Sequence, residues 1–178
     1  MLEVIVLWAD RRGIRRLRPR DAEAIRVSPD GRRHPTHAVG DVVRDLGFVP
    51  RFIHSTSWRY EGAGIVLTYV AVVDPPRALP GGMVETSVRT AELARARALD
   101  PPPLITTDQV VEHTLRHLAW LVREDPEARA ALHDWDPFLV GRTSEPFRGF
   151  DHLPPAARSE STRLNSSHLV ISYAVFCL

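Results

Sequence analysis

Two aspartates four residues apart, Asp41 and Asp45, with Arg44 between them, are the first side chains in this chain whose types and spacing suggest chemistry. Residues i and i+4 of a helix are neighbours, so both carboxylates can face one cation while the guanidinium beside them meets a phosphate. The same trio also fits a solvated helix face, whose charges interact by roughly a few tenths of a kcal/mol. A second group follows in an extended stretch. His54, Trp58 and Arg59 set a titratable ring, a stacking surface and a phosphate-binding fork among Ser55, Thr56 and Ser57. The plainer reading of that group is a hydrogen-bonded core histidine and a packed tryptophan. A third group is His113 and His117, in HTLRH. Two imidazoles one helical turn apart can chelate zinc, and the spacing is that of the zinc-protease HExxH helix, but the glutamate is missing and no third ligand is close in sequence. These histidines are therefore expected to edge a helix interface beside Trp120.

Each group needs an element to position it. Ala38, Val39, Val42, Val43 and Leu46 recur on a 3.6-residue period, with His37, Gly40, Asp41, Arg44 and Asp45 opposite, which predicts a helix over Thr36 to Leu46 with one buried stripe. Thr36 is the expected N-cap and Gly47 the expected left-handed residue after the last turn. Alternation places Phe52, His54, Thr56, Trp58 and Tyr60 on one side of a strand and Arg51, Ile53, Ser55, Ser57 and Arg59 on the other. Glu61 to Gly64 is a turn. The run from Ile65 to Val73 is apolar on both faces, as a strand in the middle of a covered sheet must be. Leu2 to Ala9 is expected as a first buried strand, with short strands at Ile14 to Leu17, Ala24 to Ser28 and Met83 to Val88 and a short helix at Thr90 to Leu99. Thr106 with Gln109 three residues later makes a capping box for a long helix to Glu124, buried through Val110, Val111, Leu115, Leu118, Leu121 and Val122.

The order helix, glycine and apolar residue, strand, hairpin, long buried strand resembles the second half of a Nudix hydrolase domain. The end of that family's box, G-x5-E-x7-R-E-U-x-E-E-x-G-U with U a bulky apolar residue, can be laid on Gly40-Asp41-Val42-Val43-Arg44-Asp45-Leu46-Gly47-Phe48. Asp41 and Asp45 then fall on two acidic positions that bind divalent metal in the family, and Val42, Gly47 and Phe48 keep its apolar and glycine positions. Arg44 replaces the other acid of the pair, Gly40 replaces the arginine, Arg32 stands where the upstream glutamate belongs and Arg26 where the first glycine belongs. The resemblance covers about forty residues. It implies an α/β fold, a Nudix-like mixed β-sheet sandwiched between α-helices. It also implies a hydrolase in which Asp41 and Asp45 hold Mg²⁺ for attack on a nucleoside-diphosphate-linked or other diphosphate, with Arg44, His54, Trp58 and Arg59 meeting the ligand. The missing carboxylates leave a second reading open, a Nudix-like binding or regulatory module without catalysis.

Composition narrows the partners. The net charge of +1 gives no electrostatic reason to expect nucleic acid or an anionic membrane. The nine arginines from Arg11 to Arg33 are interleaved with Asp21, Glu23 and Asp30, in a chain without lysine whose bias fits a very GC-rich genome, so they are first a solvated face and only secondarily a grip for a diphosphate. Leu2 to Ala9 is too short for a signal sequence or a membrane span. Cysteine is absent before Cys177, which suits a reducing cytoplasm. The segment from about Ser159 holds the only Asn and the only Cys and resembles the translated sequencing-adapter read-through at the ends of assembled metagenomic reading frames. Residues 1–157 are thus expected to form one domain, and 158–178 a non-native tail. The sequence sets no oligomeric state.

Overall fold

The apolar N-terminal run forms β1 (Leu2–Asp10), buried from Leu2 to Trp8 and paired along both edges. A computed structural model describes residues 1–29, 31–93 and 104–142. The expected tail lies outside these residues, as do residues 94–99 of the expected helix at Thr90 to Leu99, whose first residues are not helical. A tight turn with Gly13 at φ +104 returns the chain into β2 (Gly13–Pro19), antiparallel to β1, and β3 (Ile25–Val27) continues along the same edge.

Next comes α1 (Pro35–Asp45). Its start differs from the expected cap: His34, not Thr36, is the N-cap, its Nδ1 accepting from the Thr36 N–H at 3.3 Å, and Pro35 follows with a φ already suited to a first turn. Its end is as expected. Gly47 adopts φ +85, the Gly47 N–H donates to the Arg44 carbonyl at 2.8 Å, and the Phe48 N–H donates to the Val43 carbonyl at 3.1 Å, which together close a Schellman motif.

The chain then runs through β4 (Pro50–Glu61), a two-residue turn and β5 (Gly64–Val73), which pairs antiparallel with β4 and parallel with β1. After β6 (Met83–Ser87), which pairs with β2, the long helix α2 (Thr107–Glu124) carries both halves of the capping box, and α3 (Pro126–Ala131) and α4 (Asp136–Leu139) fold against it. The path through the sheet is β4-β5-β1-β2-β6, with β3 paired to β1.

The mixed sheet lies between helices. Leu2, Val4, Val6 and Trp8 of β1 pack with Tyr69, Ala71 and Val73 of β5 against Val39 and Val43 of α1. Ile5 and Leu7 pack with Val70 and Val72 against Val111, Leu115 and Leu118 of α2. The run from Thr68 to Val73 therefore lies inside the sheet with cover on both faces, as its two-sided apolar pattern requires, while Ile65 at the hairpin end is 46% exposed. No helix among the described residues is long and apolar enough to cross a membrane.

One element breaks its expected alternation. The pairing of β4 with β5 shifts between Ser55 and Ser57, so that Phe52 and His54 oppose Val72 and Val70, while beyond the shift Ser57 and Arg59 oppose Thr68 and Val66. A bulge of this kind adds a residue to one strand and turns every later side chain over. The correction is specific: Trp58 and Tyr60 do not share a face with His54, and Arg59 does.

Candidate functional site

The six residues expected to meet metal or ligand fall in four places. Asp41, Asp45 and Arg44 lie on the solvent side of α1, as its periodicity implies. Arg44 Nη2 donates to Asp41 Oδ1 at 2.7 Å and Arg33 Nη1 donates to Oδ2 at 3.0 Å, so each carboxylate oxygen is taken by a guanidinium. The bond from Arg44, reinforced by both positive charges, holds the Asp41 carboxyl below its ordinary range. Asp45 is exposed. Gly40 is buried against Arg44 and Ile53, and a Cβ there would meet the Arg44 guanidinium at 3.3 Å. Among the described residues, no three His, Cys, Asp or Glu side chains are grouped so as to hold a metal ion.

Trp58 opposes Leu67 on the α1 face of the sheet and meets Tyr60 edge to face at 5.5 Å. His54 lies on the other face, stacked on His117 at 5.3 Å and on Phe52 at 5.9 Å, and His117 meets Trp120 at 5.5 Å. The four ring nitrogens of His113 and His117, and Ser57 Oγ at the bulge of β4, are buried and reach no hydrogen-bond partner among the described residues. Burial keeps these rings neutral: His113 is pushed down to about 4, opposed by the nearby Thr56 backbone, and His117 to about 3, with its neighbours His54 and His113 adding to the effect. The Thr56 backbone approaches the His113 ring without reaching hydrogen-bond geometry, so desolvation governs. His54 is lowered as well, by burial against a weaker pull from Asp125.

Arg59 belongs to a different cluster, and its partners were not legible as a group. Its Nη1 and Nη2 donate to Glu3 Oε2 and Oε1 at 2.7 and 2.8 Å, a parallel two-bond fork on a carboxylate only 2% exposed. Thr68 Oγ1 donates to Glu3 at 3.2 Å, and Arg26 Nη2 stands 3.6 Å from the same carboxylate. Outward of this pair, both terminal nitrogens of Arg26 bond Glu61, whose Oε2 also accepts from Arg59 Nη2 at 3.2 Å. The group opens into a cleft of about 520 Å³, bounded by β1, β3, the end of β4 and the first turn of α2. On its far side Glu23 pairs with Arg16 and Arg18.

One signal for this cluster was present in the sequence. Glu3 is the lone acid in LEVIVLWA, a run otherwise apolar on both faces, and a charge there must find a partner across the sheet. The partner's identity was hidden by the bulge, which turns Arg59 toward Glu3.

No protein-family model matches the chain, and neither a curated protein nor a solved structure matches it.

Proposed function

We propose that this chain is a Nudix-like domain that binds a small phosphorylated ligand in the cytoplasm and does not hydrolyse it. Support for the fold comes from element order: α1 ends on Gly47 and Phe48 and leads into a strand, a hairpin and a strand inside the sheet, the order on which the resemblance rests. The observation that carries the loss of hydrolysis is the double guanidinium clamp on Asp41.

Magnesium requires closely arranged oxygen donors and enough negative charge to offset its own. The Asp41 carboxylate is held by two guanidiniums, Arg33 and Arg44, and a cation would have to replace both charge-assisted bonds. The residues present do not fit a catalytic Mg²⁺ site, and the α1 face performs no metal-assisted step in this reading.

A thermal-shift panel of nucleoside diphosphates on the full chain, with and without Mg²⁺ and with phosphate release followed in parallel, separates the two readings. Binding that raises Tm equally in both conditions, without turnover and unchanged by Asp41→Asn with Asp45→Asn, is expected. Mg²⁺-dependent phosphate release that disappears in that double variant would establish a hydrolase instead.

A further inference from the structure

The cleft beside Glu3 holds two features that a buried structural ion pair does not need. First, it has a second cation beside the pair. Arg59 already neutralises Glu3 through both terminal nitrogens, so the neighbouring Arg26 is left to another anion. Second, the anion that takes Arg26 is itself exposed to solvent at the end of a strand. Glu61 is the last residue of β4, 44% exposed at its side chain, and is followed by Gly62 at φ +60 in the turn. Its carboxylate sits where donors of two arginines converge, with both oxygens on Arg26 and one also on Arg59. Two guanidiniums converging on one oxyanion is the geometry by which arginines recognise phosphate, and here a side chain of the chain itself occupies it.

We propose that this cleft is a binding site for a dianionic phosphate group, in which Arg26 and Arg59 grip the phosphate and Glu61 holds their place until the ligand displaces it. The proposal rests on the binding reading above and gives it a site remote from the α1 carboxylates. Donor geometry selects the ligand class. With Glu61 turned out, the donors of Arg26 and Arg59 that held it converge on one place, which the several oxygens of a phosphate can meet at once and the two of a small carboxylate meet less fully. Glu3 stays in place, because it is buried and bonded to Arg59 and Thr68 at once, and it fixes the Arg59 fork in the orientation a phosphate needs. The first turn of α2 borders the cleft through Thr107 and Val110, so the positive end of an 18-residue helix adds to the same field. At about 520 Å³ the cleft has room for a phosphate and a modest organic group.

Isothermal titration of the full chain with inorganic phosphate, at low and constant ionic strength, tests the proposal. Glu61→Gln removes the internal competitor and is expected to tighten phosphate binding about fivefold, and Arg26→Gln is expected to weaken it about tenfold, with the gain from Glu61→Gln lost when both are combined. Acetate should bind more weakly than phosphate to every form. Ribose 5-phosphate binding more tightly than phosphate would identify an ester as the ligand and equal binding free phosphate, and either result upholds the site. If Glu61 only pins the hairpin, Glu61→Gln will lower Tm and leave phosphate affinity unchanged or weaker, and the proposal fails. Circular dichroism of each variant confirms that it is folded, and Arg26, on the cleft rim, is chosen over buried Arg59 for that reason. Asp41→Asn with Asp45→Asn should leave phosphate affinity unchanged. Diphosphate turnover would therefore overturn the non-hydrolytic reading alone, whereas an unresponsive Glu61→Gln would overturn the cleft alone.

Discussion

Glu3 and Arg59 are a costly pair of side chains to bury. A carboxylate at 2% exposure has lost nearly all its water, and the two parallel bonds from Arg59 with a third from Thr68 restore the hydrogen bonding it gave up. Such a pair contributes little net stability compared with apolar residues of the same shape, but removing one partner strands the other. Arg59→Met is therefore expected to lower the free energy of unfolding by about 3 kcal/mol in urea titration, and Glu3→Leu combined with Arg59→Met to recover most of that loss. Equal destabilisation by the single and the double variant would mean that the two side chains are not coupled. At this scale the sequence was half legible. Glu3 announced itself as an acid in an apolar strand, and the spacing of Asp41 and Asp45 correctly placed them on one exposed helix face. What no spacing rule conveys is that Arg33 would reach back to Asp41, or that Glu61 would stand before Arg26, since both contacts join residues that fold-level geometry brings together.

At the scale of elements, the parts with a strong local code came out as the sequence implied. The capping box set the start of α2 at Thr106, with the Gln109 N–H donating to Thr106 Oγ1 at 3.4 Å and the Thr106 N–H to Gln109 Oε1 at 2.9 Å, and Gly47 stopped α1 through its positive φ. Where two local codes competed, the expectation slipped. Thr36 is a good N-cap by type, but Pro35 takes the first helical position and His34 supplies the capping atom. Mutation separates the two threonines: Thr106→Ala should cost about 1 kcal/mol in chemical denaturation, and Thr36→Ala less than about 0.5 kcal/mol. Comparable losses at both sites would show that Thr36 caps α1 after all. The bulge in β4 left no trace in the pattern, because Ser55, Thr56 and Ser57 are small, polar and tolerant of either face. The shift between Ser55 and Ser57 decides which residues can cooperate: without it Arg59 would share a face with Ile53 and Trp58 would lie beside His54.

On the scale of the whole molecule, the two faces of the sheet differ in kind. The α1 face is sealed by aliphatic and aromatic side chains. The buried polar residues of the sheet, Glu3, Arg16, Thr56, Ser57 and Thr68, gather instead on the side covered by α2, which contributes Glu112, His113, Thr114 and His117. This layer holds two imidazoles that must stay neutral to remain buried, and that makes stability depend on pH in a definite direction. In the unfolded chain His113 and His117 gain a proton below their ordinary value of 6.5, while in the folded chain they resist it down to about 4 and about 3. Above pH 6.5 both states are neutral and the histidines leave stability unchanged. Below it the unfolded state binds more protons, so stability falls as pH falls, by about 1.4 kcal/mol per pH unit for each imidazole until the folded value is reached. Carboxylates held down by arginine lose their contribution only below their ordinary values, 3.8 for Asp134 beside Arg51 and 4.5 for Glu61 beside Arg26, so the fall between pH 7.5 and pH 5.0 comes from the histidines. Urea denaturation at pH 7.5 and pH 5.0 should therefore differ by about 4 kcal/mol, and His117→Phe, which keeps an aromatic ring between His54 and Trp120, should remove about half of that difference. Hydrogen exchange at pH 5.0 should show α2 opening before α1, because the two buried imidazoles, His113 and His117, belong to α2. A flat stability profile between pH 7.5 and pH 5.0, or amides of α1 that exchange first, would mean that water or charge already reaches the histidine layer in the native state.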